Sequence, residues 1–459
     1  MSEQYSSSRR RFIKGAGLFG GASFLAGPKS LATEPKLIGA AKNLIFLVAD
    51  GMGVGTLSFA HHWQMRQTGQ PLEWMQLLQD PNVRRCLQDT ASANSPVTDS
   101  AAAGSAWGCG ERVNNRSINY STRGQPLKPL FSYAKESGRA TGLVSTCRIT
   151  HATPAAFVAN VANRDAEDRI ADQYLERGVD VLLGGGAKHF SNEERDLCDA
   201  FIRKGYTFAE NAAELAQTVN DKQILGLFTR GHLPYAIDRK YDARFAAIPS
   251  LATMFKAALQ SLEQHENGFV LQVEAGRIDH AGHANDPASI LHETLEFDRC
   301  IPIALDYYKA HPDTLIIVTT DHGTGGCQLN GTGKGYQESG PALDRINRFK
   351  GSFQSVARIY EQTGAFDARH FEAISGLTVN EAQIEQILHE VQHNKRYMTS
   401  VIADVLNDKL MERTAIGWTS NNHTAEHVEL AALGPGSAEI PMFLKNYELH
   451  GMLRQALNL

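Results

Sequence analysis

Short apolar runs recur along the chain with little polar alternation: Asn43–Ala49 (NLIFLVA), Ala140–Ser145, Val179–Leu183, Phe269–Val273 and Leu315–Thr319. A strand with one wet face alternates, whereas a strand covered on both faces stays apolar throughout. The five runs therefore predict buried parallel strands. Helical patterns lie between them. Asp165–Arg177 begins acidic and stops at Gly178, a residue suited to the turn that ends a helix. Asp286-Pro287 predicts an N-cap with proline just inside it, opening a helix that runs past Leu295. Strands alternating with helices predict an α/β fold, a mostly parallel central sheet flanked by helices on both faces.

The alternation breaks over about residues 323–416. A glycine-rich stretch, Gly331-Thr332-Gly333-Lys334-Gly335, comes early in this segment. Thr378-Val379-Asn380-Glu381 then predicts a capping box, and Ile384, Ile387, Leu388 and Val391 give the next helix an apolar face. The segment is expected to be a mainly helical insertion over or beside the active edge. It would shape access to that edge and offer a surface for a homodimer.

Composition adds bounds. The chain has 459 residues, 42% hydrophobic and 21% charged, which is ordinary for a globular protein. Its formal net charge is −5. Loss of residues 1–32 would remove Arg9, Arg10, Arg11, Lys14 and Lys29 against Glu3 alone, leaving the rest more acidic. That excludes a general nucleic-acid binder but not an anionic substrate, because bound metal ions reverse a local field. Ser8-Arg9-Arg10-Arg11-Phe12-Ile13-Lys14 resembles the bacterial twin-arginine export motif. A small apolar stretch to Gly27 and then Ser30-Leu31-Ala32 complete an export signal over 1–32. The mature chain, 33–459, would be periplasmic or extracellular in a bacterium, with no transmembrane anchor. The cysteines Cys86, Cys109, Cys147, Cys198, Cys300 and Cys327 form no CxxC pair, so a cysteine zinc site is not expected.

The candidate chemistry collects after strand ends, where ligands bind in open α/β sheets. Asp50 follows the first run, Glu274 the fourth and Asp321-His322 the fifth. Asp279 and His283 are four apart, so one helical turn could aim both at one ion. His423 lies in a polar loop. In Thr98-Asp99-Ser100-Ala101-Ala102-Ala103-Gly104, either Asp99 or Ser100 could simply cap a helix, yet a helix start also favours an anion on Ser100. Gly51-Met52-Gly53-Val54-Gly55 lacks the spacing of a dinucleotide fingerprint, and Leu183-Gly184-Gly185-Gly186 reads as a turn.

Taken together, VADGMG, VTDSAAAG, THATPAAF, VEAGRIDHAGH, TTDHG and HTAEH resemble the alkaline phosphatase family. They occur in the family's order from Asp50 to His427, across nearly the whole mature chain. The resemblance implies a phosphate monoester hydrolase in which Ser100 is phosphorylated and water then releases phosphate. By that resemblance Asp279, His283 and His423 match the ligands of one zinc. Asp50, Asp321 and His322 match those of a second. Asp50, Thr153 and Glu274 match a third site, usually magnesium. Arg164 matches the arginine that grips the phosphate oxygens.

Two positions depart from the best-known bacterial pattern. His151 stands where an aspartate is found there, which admits zinc or cobalt at the third site. His280 stands where a lysine is found and would reach phosphate through water. His427 is read as outside the ligand set or on the surface. Phosphodiesterases and phosphonate-cleaving relatives share the metal core and are the nearest rivals, often with a threonine nucleophile. A sulfatase would need x-Pro-x-Arg after its nucleophile, and Ser100 is followed by Ala-Ala-Ala-Gly. A non-catalytic phosphate-binding protein would be expected to have lost Ser100 or a ligand.

Overall fold

In the structure, a computed structural model, residues 41–193 and 195–459 are described. The export-signal segment, 1–32, lies outside them. Ten strands form the main sheet. In chain order they are β1 (Asn43–Val48), β2 (Arg84–Asp89), β3 (Ala140–Arg148), β4 (Val181–Gly185), β5 (Thr207–Ala209), β6 (Ile224–Leu227), β7 (Phe269–Glu274), β8 (Thr314–Thr319), β9 (Val428–Leu433) and β10 (Phe443–Lys445). Their order across the sheet is β10-β2-β9-β8-β1-β7-β3-β4-β6-β5. Only β9 runs against its neighbours, antiparallel to both β8 and β2. The sheet is therefore mostly parallel, as its uninterrupted apolar runs predict.

β1 shows why those runs do not alternate. Leu44, Phe46 and Val48 pack into one core, and Ile45, Leu47 and Ala49 into the other. Successive side chains point to opposite faces, and here helices cover both. On one side Phe46 meets Trp107 and Phe157, each at 5.2 Å between ring centres. Met254, Phe255 and Phe297 belong to the opposite core. All five predicted strands form within two or three residues of their expected ends.

The predicted helices also form, with local corrections. The acidic one runs Glu167–Glu176, and Gly178 after it takes a positive φ. Asp286 caps Pro287–Asp298, accepting hydrogen bonds from the Ala288 and Ser289 N–H groups. The capping box of Glu381–His393 is Asn380 with Gln383, not Thr378 with Glu381. Asn380 reaches the third helical N–H from the position immediately outside the helix, whereas Thr378 stands two residues too early. Of that helix's apolar face, Ile387 is fully buried, and Ile384, Leu388 and Val391 pack partly buried against the core.

Between 330 and 415 the chain is mainly helical, with Ser339–Asp344, Phe353–Thr363, Ala368–Ser375, Glu381–His393, Met398–Val405 and Asn407–Thr414. A two-residue ladder pairs Gln328–Leu329 with Ile416–Gly417, so this segment leaves and returns at one point. A second ladder, Gly323–Thr324 with His423–Thr424, lies just outside it. No helix among the described residues is long and apolar enough to cross a membrane. All six cysteines are unpaired.

Candidate active site and metal centre

Parallel register brings the polar strand ends together. Val48 is level with Glu274 on one side and Thr319 on the other, so Asp50, Glu274 and Asp321 emerge at the same edge. The chain turns sharply after Asp50 at Gly51, whose φ is +75°. A Cβ at Gly51 would lie 2.6 Å from the Asp279 Cα. Only glycine therefore lets helix Arg277–His283 settle against the end of β1. That helix supplies Asp279 and His283 one turn apart. The ladder Thr324↔His423 carries His423 in from the far side, and its ring stacks on His322 at 3.7 Å between centres.

Three imidazoles are oriented by their outer nitrogens. His283 Nδ1 donates to the Asn421 carbonyl at 2.6 Å, and His423 Nδ1 donates to the Thr98 carbonyl at 2.8 Å. A carbonyl can only accept, so each Nδ1 carries a proton and each Nε2 is turned toward the site. Those two Nε2 atoms lie 3.0 Å apart, and each is 3.4 Å from Asp279 Oδ1. Thr324 donates to Asp279 Oδ1 at 2.6 Å, so its oxygen is left to accept from His322 Nδ1 at 3.3 Å. His322 Nε2 then faces Asp321 Oδ2 at 3.1 Å, Ser100 Oγ at 3.3 Å and Asp50 Oδ1 at 3.7 Å.

Ser100 is the first residue of helix Ser100–Cys109 and is almost fully buried. The cap is Asp99, whose carboxylate accepts from Ala102 N at 3.0 Å. The other Asp99 oxygen accepts from Arg164 Nη1 at 3.1 Å. Arg164 Nη2 donates to His151 Nε2 at 3.0 Å. The arginine is thus tied to the residue preceding the serine. Thr153 Oγ1 donates to Asp50 Oδ2 at 3.2 Å, and Ser145 donates to Glu274.

The donor set suits cations. Asp279, His283 and His423 each bring a ligand atom within 4.8 Å of the others, as do Asp50, Asp279 and His322, and Asp50, His151 and Glu274. Asp50 Oδ1, Asp321 Oδ2, Glu274 Oε1 and His151 Nδ1 are buried without a hydrogen-bond partner. Burial raises the Asp50 carboxyl well above its ordinary value, and the neighbouring Asp321 and Asp279 raise it further. Burial also raises Glu274, to about 7. Burial opposes ionisation of Asp279 too, but His283 and His423 hold it well below the usual carboxylate range. Crowded carboxylates facing imidazole Nε2 atoms, with orphaned oxygens between them, fit more than one divalent ion.

Every ligand candidate read from the sequence reaches this edge. His151 stands between Arg164 and the Asp50–Glu274 pair. His280 is displaced from the metal groups, with its Nδ1 accepting from Arg277 Nη1 at 2.6 Å. His427 is exposed and packs on Phe443, 5.5 Å between ring centres. The glycines at 51–55 serve a turn and a helix start, with Gly53 as the N-cap of Val54–Thr68.

Several residues were not singled out by sequence. Thr324, Asn421 and Ser145 orient the groups above, and Asp99, read from the sequence only as a cap, also holds Arg164. Arg148, His232, Tyr235 and Arg277 line the same cleft of about 860 Å³, and Arg396 and Tyr397 reach it from the helical segment. A hydroxyl beside TTDH and an arginine inside RIDH were the only local signals.

Comparison with known proteins shows the family. The alkaline phosphatase family profile matches residues 41–459. Alkaline phosphatase 3 of Bacillus subtilis is 33% identical over 430 residues, covering 91% of this chain and 89% of that protein. The repressible alkaline phosphatase of Saccharomyces cerevisiae is 30% identical, covering 89% and 78%. The crystal structure of Thermus thermophilus alkaline phosphatase superposes with a TM-score of 0.84 at 35% identity, covering 95% of this chain and 96% of that one. With its fold, its metal-ready strand edge and its relatives in agreement, the chain belongs to the alkaline phosphatase family and is a metal-dependent phosphomonoester hydrolase.

Proposed function

We propose that hydrolysis proceeds through a phosphoserine at Ser100. The observation that carries this reading is the position of Ser100 Oγ, buried at a helix start and 3.3 Å from His322 Nε2. Asp279, His283 and His423 would hold one zinc, and Asp50, Asp321 and His322 a second. Asp50, Thr153 and Glu274 would hold a third ion, magnesium, or zinc or cobalt if His151 Nδ1 joins the set. Bound there, such ions would favour the deprotonated forms of the serine and of water and neutralise charge developing on the phosphoryl oxygens.

The chain's own residues do the rest. Arg164, fixed by Asp99, presents its planar guanidinium to two oxygens of the phosphoryl group. Ser100 Oγ bonds to phosphorus while the bond to the leaving oxygen breaks, and the proton given up by the serine is balanced by the one the departing alkoxide takes up from water. The positive end of helix Ser100–Cys109 favours the phosphoserine. Water then displaces Ser100 and phosphate departs. A monoester, with one more charged oxygen than a diester, makes fuller use of Arg164. His280 would contact the phosphate through water.

The mature chain, 33–459, would act after export through the signal at 1–32, outside the inner membrane, with the helical segment over the cleft and a homodimer as its assembly. Ser100→Ala tests the central step. We expect kcat for a phosphomonoester to fall by at least ~10³-fold with the fold and metal content retained. Unchanged turnover would overturn the assignment.

A further inference from the structure

Arg277 lines the cleft and is only 3% exposed. Yet it forms no ion pair among the described residues. Nη1 donates to His280 Nδ1, Nη2 donates to Gln354 Oε1, and the guanidinium lies over the Tyr235 ring at 3.9 Å. Its Nε is buried without a partner. A guanidinium withdrawn from water without an opposite charge is costly to fold around.

Arg148 stands in the same cleft. Its Nε and Nη2 fork onto Glu167, and its Nη1 turns to His232 Nε2. The Arg148 N–H also points at His232 Nδ1, at 3.2 Å. A neutral ring has one lone-pair nitrogen for these two Arg148 donors, so at the other nitrogen donor meets donor. An acceptor placed between them relieves that conflict. His232 and His280 are 4.4 Å apart between ring centres, and His151 lies 5.6 and 5.5 Å from them. Cys147, His232 and His280 are close enough to suggest a metal, but arginine N–H groups occupy a nitrogen of each ring and burial keeps the thiol protonated. The wall is built of donors, and donors bind anions.

We propose that Arg148, His232 and Arg277 form a second oxyanion subsite, one imidazole ring beyond Arg164. The preferred substrates are then phosphate monoesters of short alcohols that carry another oxyanion, a carboxylate or a second phosphate. This rests on the reading that the Ser100 cleft is catalytic.

The test compares kcat/KM of the metal-loaded enzyme for glycerol phosphate, phosphoglycerate and glycerol bisphosphate, all cleaved at a terminal phosphate. Both dianchored esters are expected to exceed glycerol phosphate by about tenfold, the value of one charge-assisted contact. A preference for one of them alone identifies the oxyanion the subsite takes. Arg277→Met is expected to bring the ratios to about one, and Arg277→Lys to restore part of the preference. Equal values in the unmodified enzyme, or ratios untouched by Arg277→Met, would overturn the subsite. Should Arg277→Met not fold, the unmodified enzyme and Arg277→Lys still decide. Turnover of none of the esters would instead overturn the Ser100 reading.

Discussion

Thr324 illustrates how one uncharged side chain can govern a metal centre. Its hydroxyl proton goes to Asp279 and its lone pair receives His322 Nδ1–H. It thereby sets which nitrogen of His322 faces Ser100. Thr324→Val keeps the shape and removes both hydrogen bonds. Partners that orient metal ligands are worth ~10–100-fold. We expect a loss of that size in kcat and weaker metal retention, measured by turnover against competing chelator. A variant with native turnover and retention would show that the hydroxyl does not orient the ligands. The ligand candidates Asp50, Glu274, Asp279, His283, Asp321 and His322 were legible in the sequence because each follows an apolar run or lies one helical turn from another. His423, in a polar loop, and Thr153 stood out only with the family motifs. Thr324, Asn421 and Ser145 were not legible, because their role depends on which loops the strand order brings together.

At the scale of elements, two contacts decide how helices meet the sheet. Gly51 admits helix Arg277–His283, and Gly51→Ala would force the helix back and place alanine at φ +75°. Left-handed backbone costs about 1–2 kcal/mol for a residue with a Cβ. Displacing Asp279 by about 1 Å is expected to lower kcat by ~10²-fold, so activity should fall far more than the unfolding midpoint. Equal activity would mean that the close approach is dispensable. Asp286 caps Pro287–Asp298 and also accepts from Phe353 N at 2.9 Å, at the start of a helix in the helical segment. Asp286→Ala removes a cap and leaves a buried N–H unpaired, for a loss of about 2–3 kcal/mol. Denaturant unfolding measures it, and a change under ~0.5 kcal/mol would contradict that role. The central strands were readable because both faces are covered. β2 was not: Arg84–Asp89 is polar at most positions and only partly buried, so its place is set by pairing with β9 and β10. The cap register at Asn380 was missed because two overlapping tetrads fit the same pattern, and only backbone geometry separates them.

For the whole molecule, metal binding and stability are one balance. Without metal, burial raises Glu274 from 4.5 to about 7. The folded chain then keeps a proton that the unfolded chain has released. The Glu274 contribution to metal-free stability is full below pH 4.5 and is lost as pH rises to about 7. Glu274→Gln removes this dependence. In chelated protein the variant should gain on the parent in unfolding midpoint across that window, and the advantage should vanish with metals present. Parallel midpoints across the window would refute the linkage. Charge is also divided by location: the chain is net acidic, while Arg148, Arg164 and Arg277 gather in its cleft. Those arginines favour an anionic ester in the cleft of a chain whose net charge is negative.

The phosphoserine itself can be observed. Metal-loaded enzyme is mixed with excess phosphomonoester, quenched in acid within a turnover and digested, and the peptides are weighed by mass spectrometry. A single phosphate is expected on the peptide bearing Ser100, absent from Ser100→Ala. Phosphate on another residue, or none while the parent enzyme is turning over, would contradict it.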